Sequence, residues 1–452
     1  MIDFSRTDAY LEKNQDRSIQ ELVRLAAQPS VSAQNWGLIE CAQLVGELLD
    51  RRGFSVEILP TGGAPVVYAE RGGRSEKTLL FYNHYDVQPP EPLELWESPP
   101  FEPTLRDGKL YARGVSDDKA HITSRLFALD ALLEAEGELP CNVKFIIEGE
   151  EETSSLHLNE FVRNNRQKLA AEACIWEFGH VDQREIPIQS LGLRGICYVE
   201  LSVETAEKDV HSGTGGSIFP NAAWRLVWAL STLKGPDERI LIPGHYDLII
   251  PPSELDHQLT AALPDMADEY KSRYGVKYFL HELQGGAELR LAEVFLPTCT
   301  ICGLTSGYQG PGSKTVLPAR ASAKVDFRLV PNQTPEGVLA SLRKHLDARG
   351  FSDVQITYLG GEAPARTDPN HPFVDLVVRT AEPVYGHPMQ IEPMIGGSGP
   401  NHAFIHYLNL PVVTAGLGYP GTQAHAPNEN IRLDLYLKHA KHIVRILSAF
   451  AN

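Results

Sequence analysis

Nothing in this sequence approaches the run of about 20 apolar residues that a membrane-spanning helix needs. Its opening stretch, Met1–Ser30, also lacks the apolar centre of a secretory signal. Basic charge is in short supply: 41 Lys and Arg stand against 58 Asp and Glu, for a net charge of −17. A phosphate backbone requires a basic footprint, so nucleic acid is excluded as a partner, whereas cations are attracted. Cysteine is sparse, six scattered over 452 residues, which argues against a disulfide framework and for a reducing cytoplasm. Cys299 and Cys302 form one isolated C-x-x-C in an apolar segment. Without a second pair they are expected to be buried thiols rather than a metal site. No internal repeat or low-complexity tract is present.

What remains is a chain of ordinary globular composition, 42% hydrophobic and 22% charged, too long for a single core. Helix and strand patterns alternate through its first part. Helices are expected at Ser18–Ala27, Leu38–Arg52 and Ala120–Gly137, and strands at Ser55–Leu59, Val66–Ala69, Thr78–Asn83, Asn142–Ile147 and Ala173–Glu177. That alternation predicts an α/β layered domain. Near Gly192 the pattern changes to strand (Gly195–Val203), helix (Asn221–Leu233), a long irregular stretch from Gly235 to Pro297, strand (Ala321–Val330), helix (Pro335–Arg349) and strand (Val354–Leu359). The α/β style returns with a helix at Phe373–Tyr385, a strand at Pro411–Ala415 and a last helix at Leu435–Ala449. The simplest reading is one domain inserted in another: residues 1–191 and 367–452 form the first, and residues 192–366 form an α+β insertion.

Four segments carry chemistry where predicted strands end or helices begin, the edge at which α/β sheets gather ligands. TLLFYNHYDVQP ends a buried strand on His84 and Asp86, which share a face by their spacing. Imidazole is the commonest metal ligand, and a neighbouring carboxylate is its usual orienting partner; a strand followed by a turn is the plain alternative. RGVSDDKA places Asp117 and Asp118 before the long helix, as N-terminal helix acids or as a carboxylate able to bridge two cations. FIIEGEEETSS runs from a strand into Glu148, Glu150, Glu151 and Glu152. Clustered carboxylates repel one another unless cations neutralise them. GTQAHAPNENI brings His425 in a loop, and CIWEF ends a strand on Glu177. Two imidazoles and several carboxylates, with no thiolate, suit Zn²⁺, Mn²⁺ or Co²⁺. Five such groups exceed one four-coordinate zinc with an open position and fit two metals sharing a carboxylate and a water.

In this order His-x-Asp, G-x-x-D-[DN]-K, E-G-x-E-E and a late A-H-x-x-N-E resemble the di-zinc exopeptidase and aminoacylase family. Its members include carnosinase-type dipeptidases, glutamate carboxypeptidases, succinyl-diaminopimelate desuccinylase and aminoacylases. The resemblance spans nearly the whole chain. It implies a mixed-sheet α/β catalytic domain of zinc-exopeptidase type with an inserted α+β, ferredoxin-like lid domain that also forms a homodimer. It implies that His84 binds the first zinc, that Asp117 (two before Lys119) bridges both, that Glu152 and His425 complete the second, and that Glu177 completes the first. Glu151 becomes the general base and Asp86 the residue orienting His84. In the lid, His211 of KDVHSG matches a histidine that polarises the scissile carbonyl in a partner subunit. Arg328 of DFRLVPN, with Gly397 and Ser398 of GGSGP, matches the grip on the substrate carboxylate; alone, Arg328 reads as an edge-strand cation paired with Asp326.

The resemblance further implies metal-dependent hydrolysis of dipeptides or similar short peptides, with closure of the lid on substrate. Relatives divide at Glu177: many dipeptidases carry Asp there, and desuccinylase-, carboxypeptidase- and aminoacylase-like members carry Glu. The long insertion, by contrast, resembles carnosinase-like lids. An N-acyl amino acid amidohydrolase is therefore the alternative enzyme, and an inactive ligand-binding member the alternative of a different class.

Overall fold

The computed structural model describes residues 4–452. It divides into two units. One takes the chain up to Gly192, Arg366–Met394 and Pro400–Asn452; the other takes Leu193–Ala365 and Ile395–Gly399. The return of Ile395–Gly399 to the inserted unit is a crossing that the sequence pattern does not contain.

The first unit is built on a mixed six-stranded sheet in the order Ser55–Leu59, Val66–Arg71, Cys141–Glu148, Ser75–His84, Ala173–Trp176, Val412–Thr414. The first two pairings are antiparallel and the other three parallel. In Ser75–His84 the consecutive residues Leu79–Tyr82 are all fully buried, as expected of a strand covered on both faces. Three parallel neighbours, Cys141–Glu148, Ser75–His84 and Ala173–Trp176, point their carboxyl ends the same way. His84 stands opposite Glu148, and Phe81 opposite Ile175. Whatever follows these strands therefore emerges at one edge.

Helix Ala120–Glu136 packs between Phe4–Ala27 and Leu433–Phe450 and buries almost every side chain of its first three turns. It stops at Gly137, whose left-handed backbone lets its N–H donate to Leu133 O. The first helix starts at Phe4 rather than Ser18. Its early turns bury only Thr7 and Leu11, too narrow a stripe to stand out in so polar a sequence.

The inserted unit has four antiparallel strands in the order Thr300–Ser306, Arg320–Leu329, Gly195–Glu204, Gln355–Glu362. Helices Ala222–Leu230 and Pro335–Ala348 complete a β-α-β-β-α-β order, the ferredoxin-like arrangement. Strict alternation buries Cys197, Val199, Leu201 and Val203 against these helices. Three sequence expectations are corrected here. The stretch read as irregular contains helices Glu254–Ala262, Ala267–Tyr274 and Gly286–Phe295. Each spans fewer than three turns, and the first is set by the capping box of Ser253 and Asp256. Strand Thr300–Ser306 escapes notice because neither of its faces is buried, and it leaves Cys302 exposed while Cys299 is buried. Arg328 lies on an inner strand, not an edge. All six cysteines are free, and among the described residues no helix is long and apolar enough to cross a membrane.

Candidate active site

The carboxyl edge of the first unit's sheet carries the candidate metal ligands. His84 is the last residue of its strand; its Nδ1 lies 3.0 Å from the carbonyl oxygen of Asp86 and its Nε2 2.9 Å from Asp117 Oδ1. The other oxygen of that carboxylate, Asp117 Oδ2, lies 3.0 Å from His425 Nε2, which also lies 3.1 Å from Glu152 Oε2. One carboxylate thus faces a different imidazole with each oxygen. A ligand atom from each of His84, Asp117 and Glu152 falls within 4.8 Å of the others. Glu177 follows the neighbouring strand and is buried, with Oε2 lacking any hydrogen-bond partner among the described residues.

The turn that presents Asp117 is held by Glu429, fully enclosed by protein. Its carboxylate accepts from Arg113 Nη1 (2.7 Å) and from the backbone N–H groups of Gly114 (2.8 Å), Ser116 (2.8 Å) and Asp117 (3.1 Å). Asp117 itself leaves the helical region, with φ −128° and ψ 88°, so it is not the helix-capping acid that its position before Ala120 permits. Asp118 turns inward instead: Oδ2 accepts from Asn83 Nδ2 (2.5 Å) and the His84 N–H (3.3 Å), and Oδ1 lies 2.8 Å from His121 Nδ1. Asp86 accepts the backbone N–H groups of Glu151 (3.2 Å) and Glu152 (3.0 Å) on its carboxylate. It lies 3.4 Å from His84 Nδ1, farther than its own carbonyl does. Asp86 therefore fixes the glutamate turn at least as directly as the imidazole. Behind both, the buried Arg125 guanidinium donates to Tyr82 O (2.9 Å), Asn83 Oδ1 (2.7 Å), Trp176 O and Glu177 O (3.3 Å), tying two strand ends together.

Electrostatics set this cluster apart. Burial pushes the carboxyls of Glu151 and Glu177 well above the usual range; His84 lowers both, while the charge of Asp117 raises Glu151 further and that of Glu151 raises Glu177. Glu152 is raised as well, by burial and then by Asp117. Burial also acts to raise Asp117, but hydrogen bonds with His425 and His84 outweigh it and hold that carboxyl far below its ordinary value. Burial opposes protonation of His84, yet Asp117 and Asp86 raise it overall; hydrogen bonds to Asp117 and Glu152 lift His425 to about 10. Four acids around two imidazoles, one acid with an orphaned buried oxygen, form a donor set short of positive charge. Divalent cations fit it.

In the inserted unit, Arg328 Nη1 donates to Ser398 Oγ at 2.8 Å, while its Nε lies 3.5 Å from Asp326 Oδ2. Gly397 gives its carbonyl to the Arg194 N–H at 3.0 Å. His211 is exposed, and its Nδ1 accepts the Gly213 N–H at 3.0 Å. The sequence offers the ligand candidates but no task for Glu429, Arg113, Arg125 or Arg194, and Asp118 only as an N-terminal helix acid or a bridging carboxylate. Glu429 and Asp118 both stand inside quoted motifs, A-H-x-x-N-E and G-x-x-D-[DN]-K.

Comparison with known proteins gives the chain's family. A model of peptidase family M20/M25/M40 matches residues 80–449. The Beta-Ala-His dipeptidase of Mus musculus is 30% identical over 402 residues, 83% of this chain and 81% of that protein. The Cys-Gly metallodipeptidase dug1 of Schizosaccharomyces pombe is 28% identical over 95% of both chains. Among solved structures, the M20 family metallo-carboxypeptidase Sso-CP2 from Sulfolobus solfataricus superposes with a TM-score of 0.92 at 38% identity, covering 96% of this chain and 99% of its own. Human carnosine dipeptidase 1 gives 0.80 at 27% identity, covering 99% and 100%. The match of a family model over most of the sequence, on a fold shared with solved members, identifies the chain as belonging to peptidase family M20/M25/M40, and it is a metallopeptidase.

Proposed function

We propose that the chain hydrolyses the amide bond of dipeptides and similar short peptides with a free C-terminal carboxylate, using two divalent cations, Zn²⁺ foremost. The observation that carries this reading is Asp117, whose two oxygens face His84 and His425 separately. His84 and Glu177 would hold one cation, Glu152 and His425 the other, with Asp117 shared between them. When bound, such a pair lowers the pKa of a water towards ~7 and polarises a carbonyl. The remaining work falls to the chain's own groups.

Glu151 takes the proton from the attacking water and returns it to the leaving amine, a task favoured by a carboxyl whose proton affinity burial has raised. Asp86 holds the Glu151 N–H, which fixes where that carboxylate starts. On His211, Nδ1 accepts a backbone N–H, so in the neutral ring Nε2 carries the proton and can donate to a carbonyl oxygen. Arg328 and Ser398, already in contact, bind the substrate's carboxylate with help from the Gly397 backbone. The relatives named dipeptidases support a dipeptide as substrate. A homodimer through the inserted unit is supported by the exposed row Trp224, Val227 and Trp228, with the two indoles stacked. Glu177 favours a second reading, an N-acyl amino acid as substrate.

A panel of dipeptides, their C-terminal amides and N-acetyl amino acids, run with and without chelator, tests the proposal. Chelator-sensitive cleavage of free dipeptides, lost on amidation, is the expected result. Cleavage of N-acetyl amino acids alone would move the assignment to the second reading.

A further inference from the structure

We propose that Glu293 reads the side chain of the substrate's C-terminal residue and favours a basic one, Lys or Arg. The inference rests on the reading of Arg328 and Ser398 as the carboxylate grip. Helix Gly286–Phe295, part of the long insertion, carries Glu293 to the loop that contains Ser398. A methyl group at Gly396 would lie 3.4 Å from Glu293 Oε1, so the carboxylate stands in van der Waals reach of a residue two positions from the grip.

Glu293 is held from both ends. Tyr270 donates its hydroxyl to Oε2 at 2.9 Å. The buried Arg194 donates to the carbonyls of Glu293 (2.5 Å), Leu296 (2.6 Å) and Arg328 (3.4 Å), which ties the helix end to the strand bearing Arg328. The carboxylate remains exposed and reachable. Beside Arg328 a second acid, Asp326, has a buried oxygen, Oδ1, without a hydrogen-bond partner among the described residues. A side chain leaving a substrate Cα at this grip therefore meets two acids.

The same helix walls a cavity of about 250 Å³ with Phe279, Leu283, Leu289 and Leu296 among its apolar lining and Glu293 among its polar lining. Its other charged residues, Lys234 and Glu238, pair with each other, and His281 and the Cys299 thiol complete the titratable set. Apolar walls with an acid among them suit a long aliphatic stem ending in a cation. An acidic side chain is opposed there by both Glu293 and Asp326.

The test is kcat/KM for Gly-Lys, Gly-Arg, Gly-Leu and Gly-Glu on the metal-loaded protein, on E293Q and on E293K, with melting curves for each. The unaltered protein is expected to prefer Gly-Lys over Gly-Glu at least tenfold. E293Q should shrink that ratio below threefold, and E293K should invert it. Hydrolysis of all four peptides with an equal Lys and Glu preference, or a ratio unmoved in both folded variants, would overturn the role of Glu293 while leaving dipeptidase activity standing. Failure to cleave any of the four would remove the dipeptidase reading and this inference together.

Discussion

Asp117 and Asp118 are chemically identical neighbours that the fold sends in opposite directions. One meets two imidazoles, and the other is consumed by Asn83, the His84 N–H and His121. The difference comes from Glu429, 312 positions from Asp117, which gathers three successive-turn N–H groups and Arg113. The ligand candidates are legible in sequence because His, Asp and Glu at strand ends announce their own chemistry. The task of Glu429 is not, although the residue stands in a quoted motif, because its partners are mostly backbone atoms. Glu429→Ala is expected to weaken metal binding by roughly 10- to 100-fold, the usual cost of losing a group that orients a ligand; competition with a chromogenic chelator measures it. Glu151→Gln separates base from ligand: metal content should stay while kcat falls by about 10²- to 10⁴-fold. Elemental analysis beside turnover reads both, and a variant with normal metal and normal kcat would remove Glu151 from the role.

Two helices do more than cover the sheet. Helix Ala120–Glu136 inserts Arg125 beneath the strand ends, where it satisfies carbonyls that pairing has left open. The period of that helix is readable, but its position between two other helices hides which of its polar residues point inward. Arg125→Met strips a buried cation from several acceptors and should cost about 3–5 kcal/mol, as loss of a buried charged partner commonly does, read from denaturant unfolding. The last helix, Leu433–Phe450, buries His442, whose pKa burial lowers to about 4, against ~6.5 in an unfolded chain. Between those values the unfolded chain binds more protons than the folded one. Stability from this residue is therefore complete above pH 6.5 and is lost as pH falls towards 4, at up to ~1.4 kcal/mol per pH unit. In chelator, unfolding curves at pH 6.5 and 4.5 should lie closer together for His442→Leu than for the unaltered protein; an equal separation would contradict the assignment.

The two-unit plan is legible because composition and element style change near Gly192 and change back after the insertion. The five-residue return of Ile395–Gly399 is not, since so short a piece has no periodicity. The exposed apolar row on helix Ala222–Leu230 belongs to the molecule's surface and predicts assembly. The unaltered chain is expected to sediment as a dimer, and Trp224→Asp combined with Trp228→Asp as a monomer. The acidic cluster makes the central proposal one about charge: the folded chain is expected to present two cation positions that share Asp117. Chelated protein, titrated with Zn²⁺ while bound metal and hydrolysis of a free dipeptide are followed together, addresses this directly. The account predicts binding that saturates at two equivalents per chain, with activity rising as the sites fill. Full hydrolysis by the metal-free chain, or saturation at a single equivalent, would contradict it.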